Sequence, residues 1–163
     1  DNREETPQAE TPAAGGSVDS DEIASRRPSH PSEIMGRVPG VQSNVTGGVG
    51  DMTAIRHPLG TAPLYLYLED GIPTRSTGFF NHNALYEVNV PQASGIEVIK
   101  GPGTALYGSD AIGGVINVLT RPSPLEAEAE INLEAGQNGW KRDWKSTRLN
   151  SSHVALSRMP SSA

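Results

Sequence analysis

Residues 94–121 read SGIEVIKGPGTALYGSDAIGGVINVLTR, and this stretch decides the fold. Ile96-Glu97-Val98-Ile99-Lys100 is rich in β-branched side chains and predicts a strand. Gly101-Pro102-Gly103 stops it, because Pro102 has no N–H for a ladder and glycine favours a turn. Ala105–Tyr107 suits one helical turn, closed by Gly108. Gly113-Gly114 then leads into Val115–Thr120, a second β-branched run.

Upstream, the same reasoning gives more short elements. Asp19 with Glu22 three residues later predicts a capped helix start, and that helix cannot pass Pro28. A second helix is predicted with His30 at the cap, Pro31 at the first position and Glu33 at the third. Ile34, Met35 and Val38 would share its apolar face, and Pro39-Gly40 would end it. Val41–Val45 reads as a short strand, followed by a loop over Gly47–Asp51. Leu64-Tyr65-Leu66-Tyr67-Leu68 is a clear strand closed by Asp70-Gly71 and Pro73. Short helices mixed with strands in this order predict an α+β domain with a small mixed β-sheet.

Composition agrees. The 163 residues are 35% apolar with 18 Gly and 13 Pro, which describes a turn-rich chain with a modest core. With no cysteine there is neither a disulfide nor a thiolate site. Residues 1–22 carry seven acids and one base, whereas the basic excess lies in the tail after residue 140. No folded basic face is expected, which argues against nucleic acid as a partner. Residues 1–17 are acidic, contain Pro, Ala and Gly, lack aromatic side chains, and predict a flexible arm. Enzyme motifs fail as well. Gly101 to Gly108 has glycines at phosphate-loop spacing but no Lys-Ser/Thr, and His30, His57, His82 and His153 have no metal-ligand spacing.

After Pro124, residues 127–135 alternate apolar and polar for nine positions. Such a period of two predicts a strand with one dry and one wet face. Pattern alone leaves two readings open: an edge strand of the same sheet, or the first strand of a transmembrane β-barrel.

The string from Ser94 to Arg121 resembles the closing segment of the plug domain of TonB-dependent outer-membrane receptors. The elements Ile96–Lys100, Gly101-Pro102, Ala105–Gly108 and Ala111–Asn117 follow that family's order without gaps. Val38-Pro39-Gly40-Val41, Ile55-Arg56 and Asp70-Gly71-Ile72-Pro73 match its upstream motifs. The resemblance covers residues 18 to about 135. It implies a plug over 18–124 filling the lumen of a barrel of about 22 strands. It also implies that 125–140 begins that barrel and that the protein sits in the outer membrane of a Gram-negative bacterium. Gly101, Gly103, Gly108, Gly113 and Gly114 would let the plug turn tightly against the wall, and Tyr107 would bury its ring while its hydroxyl finds a partner.

Departures are visible. Ser94-Gly95 stand where the family often has Glu-Arg, and His57 replaces the glycine after Ile55-Arg56. Residues 1–17 contain no recognisable TonB box. Residues 145–163 abandon the alternation and resemble translated adapter read-through, so 141–163 is expected to be non-native or disordered.

By resemblance, Arg56 and Lys100 are the basic positions that latch the plug to barrel glutamates. His57–Thr61 and Thr74–Asn83 are the apical loops. Ligand contacts would then come from His57, Arg75, Phe79, Phe80, Asn81 and His82, with Arg75 and His82 facing a negatively charged metal chelate. Phe79 and Phe80 would either face a macrocyclic ligand or pack on the barrel wall. The implied function is active import, with TonB and its inner-membrane energising complex as partners and no bound cofactor. A ferric siderophore is the leading ligand, and cobalamin, haem or ferric citrate are alternatives. A stand-alone soluble binding module is the reading of another class.

Overall fold

The computed structural model describes residues 15–48, 50–90, 93–122, 124, 128–135 and 141–148. The chain divides into two units, residues 1–121 and 122–163.

The first unit is built on a five-stranded sheet in the order β1-β6-β7-β4-β5. Its strands are β1 (Gly15–Asp19), β4 (Tyr65–Glu69), β5 (Ile72–Pro73), β6 (Ala93–Lys100) and β7 (Gly114–Thr120). β4 and β7 run parallel, with Tyr65 opposite Gly114. β6 is antiparallel to both β7 and β1, with Val98 opposite Ile116 and Gly16. The mixed sheet expected from the sequence is present, and its central strands are buried on both faces. Tyr65 and Tyr67 join the larger apolar cluster, whereas Leu66 and Leu68 join a smaller one with Ile99, Ala111 and Val115. This two-sided burial explains why β4 reads as a continuous apolar run.

Helices α1 (Ser20–Arg26) and α2 (Pro31–Met35) supply Ile23, Ile34 and Met35 to the larger cluster. Their caps follow the sequence. Asp19 Oδ1 accepts the Glu22 amide at 2.8 Å, and the His30 ring accepts the Ser32 amide. α2 stops at Met35, ahead of the predicted Pro39-Gly40 end, although Val38 is still buried. The hairpin of β2 (Val41–Gly47) and β3 (Gly50–Ile55) forms a separate two-stranded sheet. Gly47–Asp51, expected to be a loop, therefore contains the end of one strand and the start of the next.

The quoted stretch folds as read, with α3 (Thr104–Tyr107) between β6 and β7. Two of its glycines are obligatory for different reasons. Gly108 adopts φ 94°, where L side chains are strained. A Cβ on Gly114 would lie 2.6 Å from the Ile99 carbonyl oxygen and 2.6 Å from Ile55 Cδ1. Tyr107 is half-buried against the smaller cluster.

Two boundaries are corrected. Gly15–Ser17, read as the end of the flexible arm, belong to β1, because pairing with Glu97–Ile99 satisfies their backbone. The remainder of the expected arm, and any TonB box in it, lies outside the described residues.

In the second unit, β8 (Glu128–Ala135) pairs antiparallel with β9 (Lys141–Arg148). The alternating segment is thus a strand, and 141–148, expected to be tail, is its partner. Ladder pairing of the backbone does not require side-chain alternation, so the sequence pattern missed β9. Residues 149–163 lie outside the described residues. A two-stranded pair is no barrel, and the barrel remains what the family pattern implies.

Candidate functional site

Three connections meet where β4 begins: 56–64, 74–83 and 108–113. Asn81 joins the first two from inside. It is 3% exposed, and its Nδ2 donates to the Thr53 carbonyl at 2.6 Å and the Gly60 carbonyl at 3.1 Å. Its Oδ1 accepts the Tyr67 hydroxyl at 3.0 Å. Asn81, expected at the ligand face, is therefore a buried cross-link. Burial, helped by the nearby Asp51 carboxyl and partly offset by a hydrogen bond with Thr53 and the charge of Arg75, holds the Tyr67 phenol well above its usual range.

Arg75 organises the second connection. Its guanidinium forks onto both oxygens of Glu87, with Nη2 3.0 Å from Oε1. Nη1 donates to the Phe80 carbonyl at 3.0 Å and Nη2 to the His82 carbonyl at 2.6 Å. The same group lies 4.9 Å from the centroid of Phe79. Four donations and an aromatic contact make Arg75 the centre around which 75–82 is wound, and only a planar fork supplies them together. Gly78 N donates to Asp110 Oδ2 at 2.6 Å, tying in the third connection.

What this scaffold presents is aromatic. Phe79 and Phe80 are 45% and 52% exposed, stacked at 4.8 Å between centroids and 19° between planes. The His82 ring is 6.3 Å from that of Phe80 and half-buried. A shallow recess beneath them is lined by Tyr65, Tyr67, Arg75, Ser76 and Asp110. His57 is exposed at the start of the neighbouring loop.

Arg56 and Lys100 come together at the Pro39-Gly40 turn. Lys100 Nζ donates to the Pro39 carbonyl at 3.1 Å, and Arg56 N donates to the Gly40 carbonyl at 2.9 Å. A Cβ on Gly40 would lie 3.6 Å from Arg56 Cγ and 4.0 Å from Lys100 Cδ. Neither cation has a carboxylate partner among the described residues.

Sequence reasoning missed Asp51, Glu87, Asp110 and Asn83. Asp51 is fully buried and sits in β3. Burial pushes its carboxyl above the ordinary value of 3.8, partly offset by His30, the Leu85 backbone, Arg75 and His82. Its Gly-flanked position looks like a turn, and no local pattern marks it as interior. Glu87 and Asp110 are single acids whose partners are distant in sequence.

A glycine-punctuated mixed sheet with an aromatic loop at one end and a paired basic turn defines a plug-type module. Residues 7–115 match the model of the TonB-dependent receptor plug domain, and the chain belongs to that family. It is 36% identical over 143 residues to the vitamin B12 transporter BtuB of Vibrio vulnificus, covering 86% of this chain and 23% of the relative. The chain thus spans about a quarter of that protein's length. Among solved structures, a variant of the ferric enterobactin receptor PfeA from Pseudomonas aeruginosa is 28% identical. Its TM-score is 0.60, over 76% of this chain and 19% of the receptor. The ferripyoverdine receptor of the outer membrane of the same species shares the fold at 18% identity. There the TM-score is 0.62, over 86% of this chain and 18% of the receptor. The family is one of transporters and receptors rather than enzymes, and its members are Gram-negative outer-membrane proteins.

Proposed function

We propose that this chain is the plug of an active importer that takes up cobalamin, with Phe79 and Phe80 as its contact to the ligand. The observation that carries this reading is the exposed, stacked Phe79–Phe80 pair, a broad apolar face suited to a large macrocycle. Charge argues in the same direction. Arg75, the one arginine in the aromatic loop, is neutralised by Glu87, leaving little to attract an anionic chelate. The likeness to the B12 transporter of Vibrio vulnificus supports the assignment. In the proposed mechanism, the N-terminal arm engages TonB by strand addition, whose backbone pairing tolerates varied sequence. Arg56 and Lys100 hold the plug to barrel carboxylates until then. Their value is positional, since ion pairs in a wet lumen contribute little singly.

A ferric siderophore is the second reading, favoured by the likeness to the enterobactin receptor. Titrating the full-length protein in detergent with cyanocobalamin and, separately, with ferric enterobactin distinguishes them. Saturable cobalamin binding is expected, weakened at least ~tenfold when Phe79 and Phe80 are both replaced by Ala. Binding of the ferric catecholate alone replaces the first reading by the second. Binding of neither overturns both.

A further inference from the structure

Phe79 and Phe80 are neighbours in sequence, yet their rings lie face to face, 4.8 Å apart and 19° from parallel. In extended chain consecutive side chains point to opposite faces, so this stacking needs a bend at the pair. The bend is present. Phe79 N donates to the Ser76 carbonyl at 3.3 Å, and Gly78, third in that turn, holds φ 78°. Glycine suits a left-handed φ at that place in a tight turn. A Cβ on Gly78 would meet nothing within 4 Å, so side-chain packing does not hold the bend.

A carboxylate holds it instead. Half-buried Asp110 accepts the Gly78 amide on Oδ2 at 2.6 Å, from a distant part of the chain. A hydrogen bond from a backbone N–H to a carboxylate is roughly twice as strong as one between neutral groups. The acceptor stands on a firm base. Its neighbour Ala111 is fully buried and takes the Gly103 amide on its carbonyl at 2.8 Å, while Gly113 N donates to the Leu64 carbonyl at 2.7 Å. Arg75 grips the Phe80 and His82 carbonyls, which lie at and beyond the second ring. Asp110 grips the amide just before the first ring, so the two side chains hold the pair from either side.

We propose that Asp110 is a positioning residue for ligand uptake, fixing the bend at Gly78 so that Phe79 and Phe80 present one continuous apolar face. The assignment rests on the reading of those rings as the contact to cobalamin. Without the Asp110 bond the turn competes with other loop conformations, and only molecules with both rings in place bind well. Apparent affinity then falls in proportion to that competent fraction. Asp110 acts through the rings and does not itself touch the ligand.

Cyanocobalamin titration of the full-length protein in detergent, with hydrogen exchange read over residues 76–80, tests this. Asp110→Ala is expected to speed exchange of the Gly78 amide and to weaken binding about five- to tenfold. Asp110→Asn keeps a carbonyl acceptor and should recover most of both. In protein already carrying Phe79→Ala and Phe80→Ala, adding Asp110→Ala should weaken binding no further, because a residue that acts through others is not additive with them. An equal loss in that background, an Asp110→Asn as weak as Asp110→Ala, or unchanged binding in Asp110→Ala overturns the proposal. If the unmodified protein binds no cyanocobalamin, the ligand reading fails, and exchange decides the positioning: a Gly78 rate unaffected by Asp110→Ala refutes it. Should Asp110→Ala fail to assemble, Asp110→Ser, whose side chain is too short for the contact, takes its place with the same expectations.

Discussion

The hydroxyl of Tyr67 donates to Asn81 Oδ1 at 3.0 Å, joining the middle of a core strand to the interior of the aromatic loop. The loop is therefore held from beneath, and its exposed rings stand on a buried amide. Replacing Asn81 by Ala strands the Thr53 and Gly60 carbonyls and the Tyr67 hydroxyl. A loss of about 2–4 kcal/mol is expected, read as a lowered midpoint in denaturant unfolding.

Arg75→Lys keeps the charge and loses the fork. A lysine cannot hold both Glu87 oxygens and the Phe80 and His82 carbonyls at once. Limited proteolysis is expected to nick residues 76–80 faster in the variant, while the sheet keeps its exchange protection. Unchanged cleavage would show that the loop is held by something other than this guanidinium.

Gly114→Ala places a methyl against a backbone carbonyl that cannot yield without moving β6. Overpacking of this kind costs roughly 1–3 kcal/mol. Gly60→Ala meets nothing within 4 Å and has no left-handed φ. It should be neutral or slightly stabilising, by up to ~1 kcal/mol. Thermal unfolding of the pair checks the contrast.

Asp51 gives a pH dependence of defined sign. Its carboxyl is raised above 3.8 in the folded protein, so its favourable contribution is complete below that value. The contribution is lost as pH rises through the folded value. Asp51→Asn should therefore match the unmodified protein in acid and exceed it in stability near neutrality. Thermal midpoints measured across that range would contradict the assignment if the gap widened on acidification.

The fold was legible where local chemistry decides it. Asp19 and His30 announce helix caps, β-branched runs mark β6 and β7, and Gly-Pro-Gly marks the break between them. What could not be read depends on distant partners. β3 was hidden because its Gly50-Asp51 start looks like a turn, and β1 because Gly15-Gly16 looks unstructured until Val98 and Ile99 lie beside it. Phe79 and Phe80 read as loop aromatics from their small polar neighbours, and both are exposed. The buried role of Asn81 and the commitment of Arg75 to Glu87 rest on contacts no spacing rule encodes.

The order β1-β6-β7-β4-β5 carries a cost during synthesis. β1 and β4 emerge from the ribosome early, yet each pairs with a strand made much later, Gly15 with Ile99 and Tyr65 with Gly114. Until β6 and β7 are translated, both expose unsatisfied backbone and apolar side chains. A nascent chain halted before residue 93 would thus be a ready client for holding chaperones, whereas one extended past Thr120 can close the whole sheet.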